Sequence, residues 1–360
     1  METYLHRLNR LMKEAKLQRK VYQPGRYWEK YSKRIINAIK DREKLENFLG
    51  ESSIYCKGFI NVSPTKIKLG LLSKLLLRAF SKTSFFKNIP FLMNLLQSYS
   101  RADRCMLTKF FYSLVAELDP FITNISSSPV GNPLDVVEIN GSKISFEFLR
   151  HYTYFLCLNK LLDFSKINYI LEIGGGYGRL VEVIKRRLPN ITYTYCDIFP
   201  TFLCAEFFLE NTFGRKELVL AESSKNKDSL KISEFTSKIL VLPNWYMEKI
   251  VGEIDLFINS ASFQEMEKSI VENYAGRLLT LNPTYINLFT LREGHAPRIK
   301  GYSDKVDKRY LITVFTQKGY SLIYDSDADM FREMELLLNL FPHYENMQHR
   351  YTFLLLKNNK

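Results

Sequence analysis

From about residue 165 the chain alternates short apolar runs with amphipathic ones. The apolar runs are INYILEIG (167–174), ITYTYCDIF (191–199), KILVLPN (238–244), IDLFINS (254–260) and TYINLFTL (284–291). Each has the length and bounds of a strand. Helical periodicity lies between them, as in GRLVEVIKRRL (178–188) and PTFLCAEFFLENTF (200–213), where Pro200 suits a first helical turn. Strands alternating with helices predict a doubly wound α/β fold, a mostly parallel sheet covered on both faces. Two further runs, YSLIYDSD (320–327) and RYTFLLLKN (350–358), predict an antiparallel edge pair.

The amino-terminal third reads differently. Residues 1–60 have a helical, surface-rich pattern broken at YQPGRYW by Pro24 and Gly25. In KIKLGLLSKLLLRAFSK (66–82), Leu69, Leu72, Leu76 and Phe80 form one apolar stripe, with Lys68, Lys74, Arg78 and Lys82 largely off it. Such a basic amphipathic helix suits either an anionic membrane surface or a neighbouring helix. Helical pattern continues to about residue 120, and SSSPVGNP then reads as a connection. The expected division is a helical region, 1–125, followed by an α/β domain, 126–360.

Charge sharpens this division. Residues 1–110 hold 23 Lys and Arg against 8 Asp and Glu, an excess of 15; the remainder holds 28 against 30. A positive field confined to one region attracts an anionic partner, whether nucleic acid, acidic lipid or charged glycan. With 46% hydrophobic and 25% charged residues the chain can bury a sizeable core. The five scattered cysteines lack a CxxC pair, which disfavours a disulfide framework and a zinc site. With no secretion signal and no uncharged membrane-length window, the expected location is the cytoplasm, with contact at the inner membrane face through the basic region.

The chemistry concentrates in ILEIGGGYGRL (170–180), at the end of the first strand of the α/β region. In open sheets ligands bind beyond the carboxyl ends of the strands. A dinucleotide frame G-x-G-x-x-G started at Gly174 would put its third glycine on Arg179, and fails. The frame that fits is E-x-G-x-G-x-G: Glu172, Gly174, Gly176 and Gly178, with Gly175 between. It resembles the loop of Rossmann-like methyltransferases that use S-adenosylmethionine (SAM). That resemblance implies a glycine loop lying against the amino-acid and ribose parts of the cofactor, with Glu172 binding its ammonium. Asp197, 19 residues after Gly178 and followed by Ile198, ends the second strand and suits the two ribose hydroxyls; the other reading is a helix N-cap. Asn244 and Trp245 end the third strand where adenine would lie, unless Trp245 only caps the sheet. Asn259, Ser260 and Ser262 end the fourth, beside the expected methyl group. Two residues are candidate catalytic groups. Glu265 is either a pocket carboxylate or a first-turn helix acid, and His295, on the loop after the fifth strand, is either a base or a surface histidine. His151, His343 and His349 stand in less suitable contexts. No metal-ligand cluster is evident.

Four stretches, VGNPLDVVEINGSKISFEFLRHYTY (130–154), YILEIGGGYGRLVEVI (169–184), YCDIFPTFLCAEFFL (195–209) and DLFINSASFQEM (255–266), with Tyr274 following, resemble sugar O-methyltransferases of bacterial surface-polysaccharide loci. The resemblance spans about residues 125–290. It implies SAM-dependent methylation of a sugar hydroxyl, in a glycan or nucleotide sugar, an anionic acceptor included, with Arg150 and Tyr152 either closing over the cofactor or packing a helix. Two rival readings remain. One is a nucleic-acid methyltransferase, suggested by the basic region and NPTY (282–285), although that motif precedes its strand. The other is a non-catalytic binding module of the same fold.

Overall fold

The computed structural model describes residues 4–50, 104–133, 135–224, 227–294, 305–328, 330–340 and 351–360. The candidate amphipathic helix 66–82 and the histidines His295, His343 and His349 lie outside the described residues.

Helices α1 (Tyr4–Leu17), α2 (Arg26–Ile39) and α3 (Arg42–Glu46) come first, with the break at Pro24 and Gly25 where expected. Then come α4 (Arg104–Leu118), a hairpin β1 (Val136–Ile139) and β2 (Ser142–Ser145), and α5 (Phe146–Leu161). The α/β region follows: β3 (Tyr169–Ile173), α6 (Arg179–Arg187), β4 (Thr192–Asp197), α7 (Thr201–Phe213), β5 (Leu218–Leu220), β6 (Leu230–Lys231), β7 (Ile239–Pro243), β8 (Ile250–Val251), β9 (Leu256–Ser260), α8 (Lys268–Leu281), β10 (Tyr285–Leu291), α9 (Lys308–Thr316), β11 (Tyr320–Asp325), α10 (Arg332–Leu340) and β12 (Tyr351–Asn358).

The main sheet runs β11-β12-β10-β9-β3-β4-β7-β5. From β10 to β5 every pairing is parallel, and β12 lies antiparallel between β10 and β11. The expected edge pair is therefore present, and the fold is a doubly wound, Rossmann-like α/β sheet. Its core is the apolar runs of the sequence: Ile170, Leu171, Tyr193, Tyr195, Leu240, Val241, Phe257, Ile258 and Phe289 are all fully buried. A parallel sheet with helices on both faces demands such side chains on both sides of each strand.

Contacts group the chain into two compact units. One comprises Met1–Leu45, Leu161–Met330 and Arg350–Lys360; the other comprises Glu46–Lys160 and Phe331–His349. This differs from the division at residue 125, because α1 and α2 belong with the sheet. The cause is specific bonding. Arg7 forms a bidentate pair with Glu206 of α7, at 2.5 and 2.6 Å, and also bonds Glu222. Tyr22 donates to Glu248 at 2.6 Å, and α2 packs against α7. Arg7, Arg10 and Arg19 of this segment are thus matched by acids of the α/β region. Within the second unit, the β1–β2 turn uses Asn140 and Gly141, both at positive φ (51° and 82°), the chemistry of a tight hairpin. There Arg150 pairs with Glu147 and Tyr152 donates to Asp119, so both side chains have partners inside their own unit. Among the described residues no helix is long and apolar enough to cross a membrane.

Candidate functional site

The strand β3 ends at Ile173 and α6 begins at Arg179, leaving the glycine loop at the carboxyl edge of the sheet. Gly174, Gly176 and Gly178 adopt φ of 76°, 64° and 88°, conformations that residues with a Cβ rarely take. Two of the loop's positions explain its shape. A side chain at Gly175 would meet the Glu172 carboxylate at 2.5 Å, so the loop folds directly over that acid. A Cβ at Gly176 would meet nothing within 4 Å. The bare backbone there faces open space, as it must if a ligand is to lie against it.

Asp197, ending β4, reaches across to this loop. Its Oδ2 accepts from the Gly176 amide at 3.0 Å and from the Tyr195 hydroxyl at 3.0 Å, and its Oδ1 from the Ile198 amide at 2.7 Å. The helix α7 has Pro200 as its N-cap and no side-chain cap, so the N-cap reading of Asp197 does not hold. Tyr195 also contacts the Gly176 carbonyl, and Tyr193 donates to Glu172 at 2.9 Å. Because side chains alternate along a strand, Tyr193, Tyr195 and Asp197 share one face of β4. The two tyrosines were not foreseen as site residues, although the alternation in TYTYCD carried the signal.

At the next strand ends the side chains divide into scaffold and candidate contacts. Asn259 spends both amide hydrogens internally, on the Ile173 carbonyl (2.9 Å) and Ser262 Oγ (2.6 Å), and its oxygen accepts from the Phe263 amide. Ser262 donates to the same Ile173 carbonyl at 3.1 Å. These two residues therefore fix the base of the glycine loop, a bracing role in place of the cofactor contact expected of Asn259. Ser260 ends β9 half-buried. Asn244 is buried and donates to the Tyr22 carbonyl (3.0 Å) and the Tyr274 hydroxyl (2.8 Å), while its Oδ1 has no donor among the described residues. Trp245 lies edge-on to Phe202 of α7, with ring centroids 6.2 Å apart.

Glu265 sits on the 3-10 turn Phe263–Glu265 after β9 and is buried. It is not a first-turn acid of α8, which starts at Lys268. Its Oε2 accepts from Trp28 Nε1 of α2 at 2.9 Å. The sequence did not suggest that α2 would contribute here. The signal was the aromatic set YWEKY, in which Tyr27, Trp28 and Tyr31 pack with centroids 5.4 to 5.9 Å apart. The first turn of α2 is pinned by the Arg26 amide, which donates to Glu267 at 3.1 Å.

Three carboxylic acids are thus buried at or just beyond the carboxyl ends of β3, β4 and β9. Burial pushes Glu172 up to about 8, Asp197 up to about 7 and Glu265 up to about 8; the charge of Asp197 adds to the rise in the other two. No lysine or arginine among the described residues pairs with any of them. Burying uncompensated carboxylates is costly, and a cationic ligand removes the cost. Among the described residues no group of three or more His, Cys, Asp or Glu could hold a metal ion.

No family model matches the chain, and no curated protein matches it. Solved structures do. The mitomycin 7-O-methyltransferase MmcR is 11% identical with a TM-score of 0.38, over 59% of this chain and 54% of that one. The pyocyanin biosynthetic protein PhzM is 12% identical with a TM-score of 0.34, over 58% and 54%. The magnesium protoporphyrin IX methyltransferase ChlM from Synechocystis PCC 6803, with bound SAH, is 7% identical with a TM-score of 0.35, over 74% and 99%. The chain spans about half the length of MmcR and PhzM. At these values the likeness assigns neither activity nor substrate to this chain.

Proposed function

We propose that the protein is a SAM-dependent methyltransferase whose acceptor is a sugar hydroxyl. One observation carries the cofactor reading: a glycine-rich loop, open at Gly176, lies over the buried Glu172 and is bonded by the buried Asp197, and neither acid pairs with a lysine or arginine among the described residues. SAM brings an ammonium and a sulfonium to such a site. The residues present fit that group. Gly174 to Gly178 admit it, Asp197 accepts from its ribose hydroxyls, Glu172 faces its ammonium, Ile198 and Trp245 flank its base, and Ser260 ends the strand beside its methyl. When bound, SAM supplies an electrophilic methyl group on sulfur. The chain contributes alignment, through a loop braced by Asn259 and Ser262, and exclusion of water.

The sugar acceptor rests on the sequence resemblance over residues 125–290. The nucleic-acid alternative is weaker on position. Asn282 of NPTY ends α8 with φ 48° and accepts from Asn358, at the amino edge of β10. The carboxyl edge, where the glycine loop lies, is the opposite one. Incubating the full chain with methyl-tritiated SAM and, separately, neutral oligosaccharides, nucleotide sugars, RNA and duplex DNA tests the reading. Label is expected as an O-methyl ether on sugar. Label in base-methylated nucleic acid would replace it.

A further inference from the structure

We propose that Glu265 is the base that takes the acceptor's proton, and that the cofactor's sulfonium charge decides whether this carboxyl is ionised. The proposal rests on the SAM reading and goes beyond it by assigning the proton's path.

Geometry holds Glu265 on two sides. Behind it, the turn Phe263–Glu265 is anchored by the Phe263 amide on Asn259, and Asn259 is bonded to the last carbonyl before the glycine loop. The carboxyl is therefore fixed relative to the cofactor loop. In front of it, the Trp28 indole N–H donates to Oε2 at 2.9 Å. The titratable groups facing it are the Tyr27 hydroxyl from α2 and Asp197 from β4; the hydroxyls of Tyr31 and Tyr351 interact with Tyr27 in turn. None of these brings a positive charge. Burial then keeps the proton on Glu265 near neutral pH, and Trp28, a donor to the carboxylate, works against burial. The positive charge of a sulfonium bound at this site would lower the proton affinity of Glu265.

The charges balance through the reaction. An oxygen lone pair of the acceptor forms the C–O bond, the C–S bond breaks, and its electron pair stays on sulfur. The hydroxyl proton passes to Glu265. A sulfonium beside a carboxylate becomes a neutral thioether beside a carboxylic acid, so the site's net charge is unchanged. The carboxyl returns its proton to solvent when the next SAM binds. Trp28 is a positioning residue for this group.

The test is calorimetric binding of SAM and of S-adenosylhomocysteine to the full chain at pH 7.5, in buffers of different ionisation enthalpy. SAM is expected to release more protons than the thioether. The difference should vanish in Glu265→Gln and move to higher pH in Trp28→Phe. Equal release for both ligands, or a difference that survives Glu265→Gln, would overturn the proposal. Failure of both ligands to bind the wild-type chain would instead remove the SAM reading. A second readout does not depend on the Gln variant folding. With 5-fluorotryptophan, the chain's two tryptophans give two fluorine signals, and that of Trp28 is assigned by its loss in Trp28→Phe. Its pH midpoint should fall with SAM and not with S-adenosylhomocysteine; an unchanged midpoint rules the coupling out.

Discussion

At the scale of the residue, the site is built on the exclusion of side chains. Gly176 faces open space at positive φ, so a substitution there strains the backbone and also fills the hollow. Gly176→Val is expected to weaken SAM binding at least about 100-fold, or about 2.7 kcal/mol, while the thermal transition stays cooperative. Equal affinity for SAM in this variant and the parent would mean that the loop holds something else. Gly174 differs, since its Cβ would collide with Ser262, the residue that braces Ile173. The buried tyrosines Tyr193 and Tyr195 hold two of the acids by hydrogen bonds that favour their ionised forms. Tyr195→Phe should therefore raise the proton affinity of Asp197, and carboxyl-carbon NMR would read that rise as an upward-shifted midpoint.

At the scale of the element, α1 and α2 are tied to the sheet by ion pairs and hydrogen bonds. Arg7→Ala would leave Glu206, only 5% exposed, without its cation. The expected loss is about 3 kcal/mol in chemical unfolding. A loss below about 1 kcal/mol would mean that the pair is not formed. These contacts were not legible in the sequence, because nothing local pairs Arg7 with residues 199 and 215 positions away. The sheet was legible because its strands are buried on both faces and so read as apolar runs, from ILEI to NLFTL. The short strands β5, β6 and β8 were missed, at two or three residues each, too short to show periodicity. The β1–β2 hairpin was missed although Asn140-Gly141 announced it. The positions of Glu172, the glycines and Asp197 at the carboxyl edge of the sheet were legible from spacing, since they lie at or just past the ends of β3 and β4. The internal bonds of Asn259 were not legible, because strand position does not reveal which carbonyl a side chain will bond. The partnership of Trp28 with Glu265 depends on a contact between residues 237 apart.

At the scale of the whole molecule, the buried acids make stability depend on pH in an unusual direction. Glu172, Asp197 and Glu265 have folded values of about 8, 7 and 8, against ordinary values of 4.5, 3.8 and 4.5. The folded state thus holds protons that the unfolded state releases. The stabilisation is complete below about pH 4 and is lost as the pH rises through about 7 to 8. The melting temperature of the ligand-free chain should fall between pH 6 and pH 8.5, and saturating SAM should flatten that fall. A ligand-free profile level over this range would mean that the acids are solvated or paired. The basic excess of residues 1–110 has a partial internal account in the pairs made by Arg7, Arg10 and Arg19.

The most direct measurement is the affinity of the full chain for S-adenosylhomocysteine, beside that of Asp197→Ala. The account predicts one-to-one binding that weakens about 100-fold or more when the ribose hydrogen bonds are removed. Binding of equal strength in the two proteins, or none in either, would contradict it.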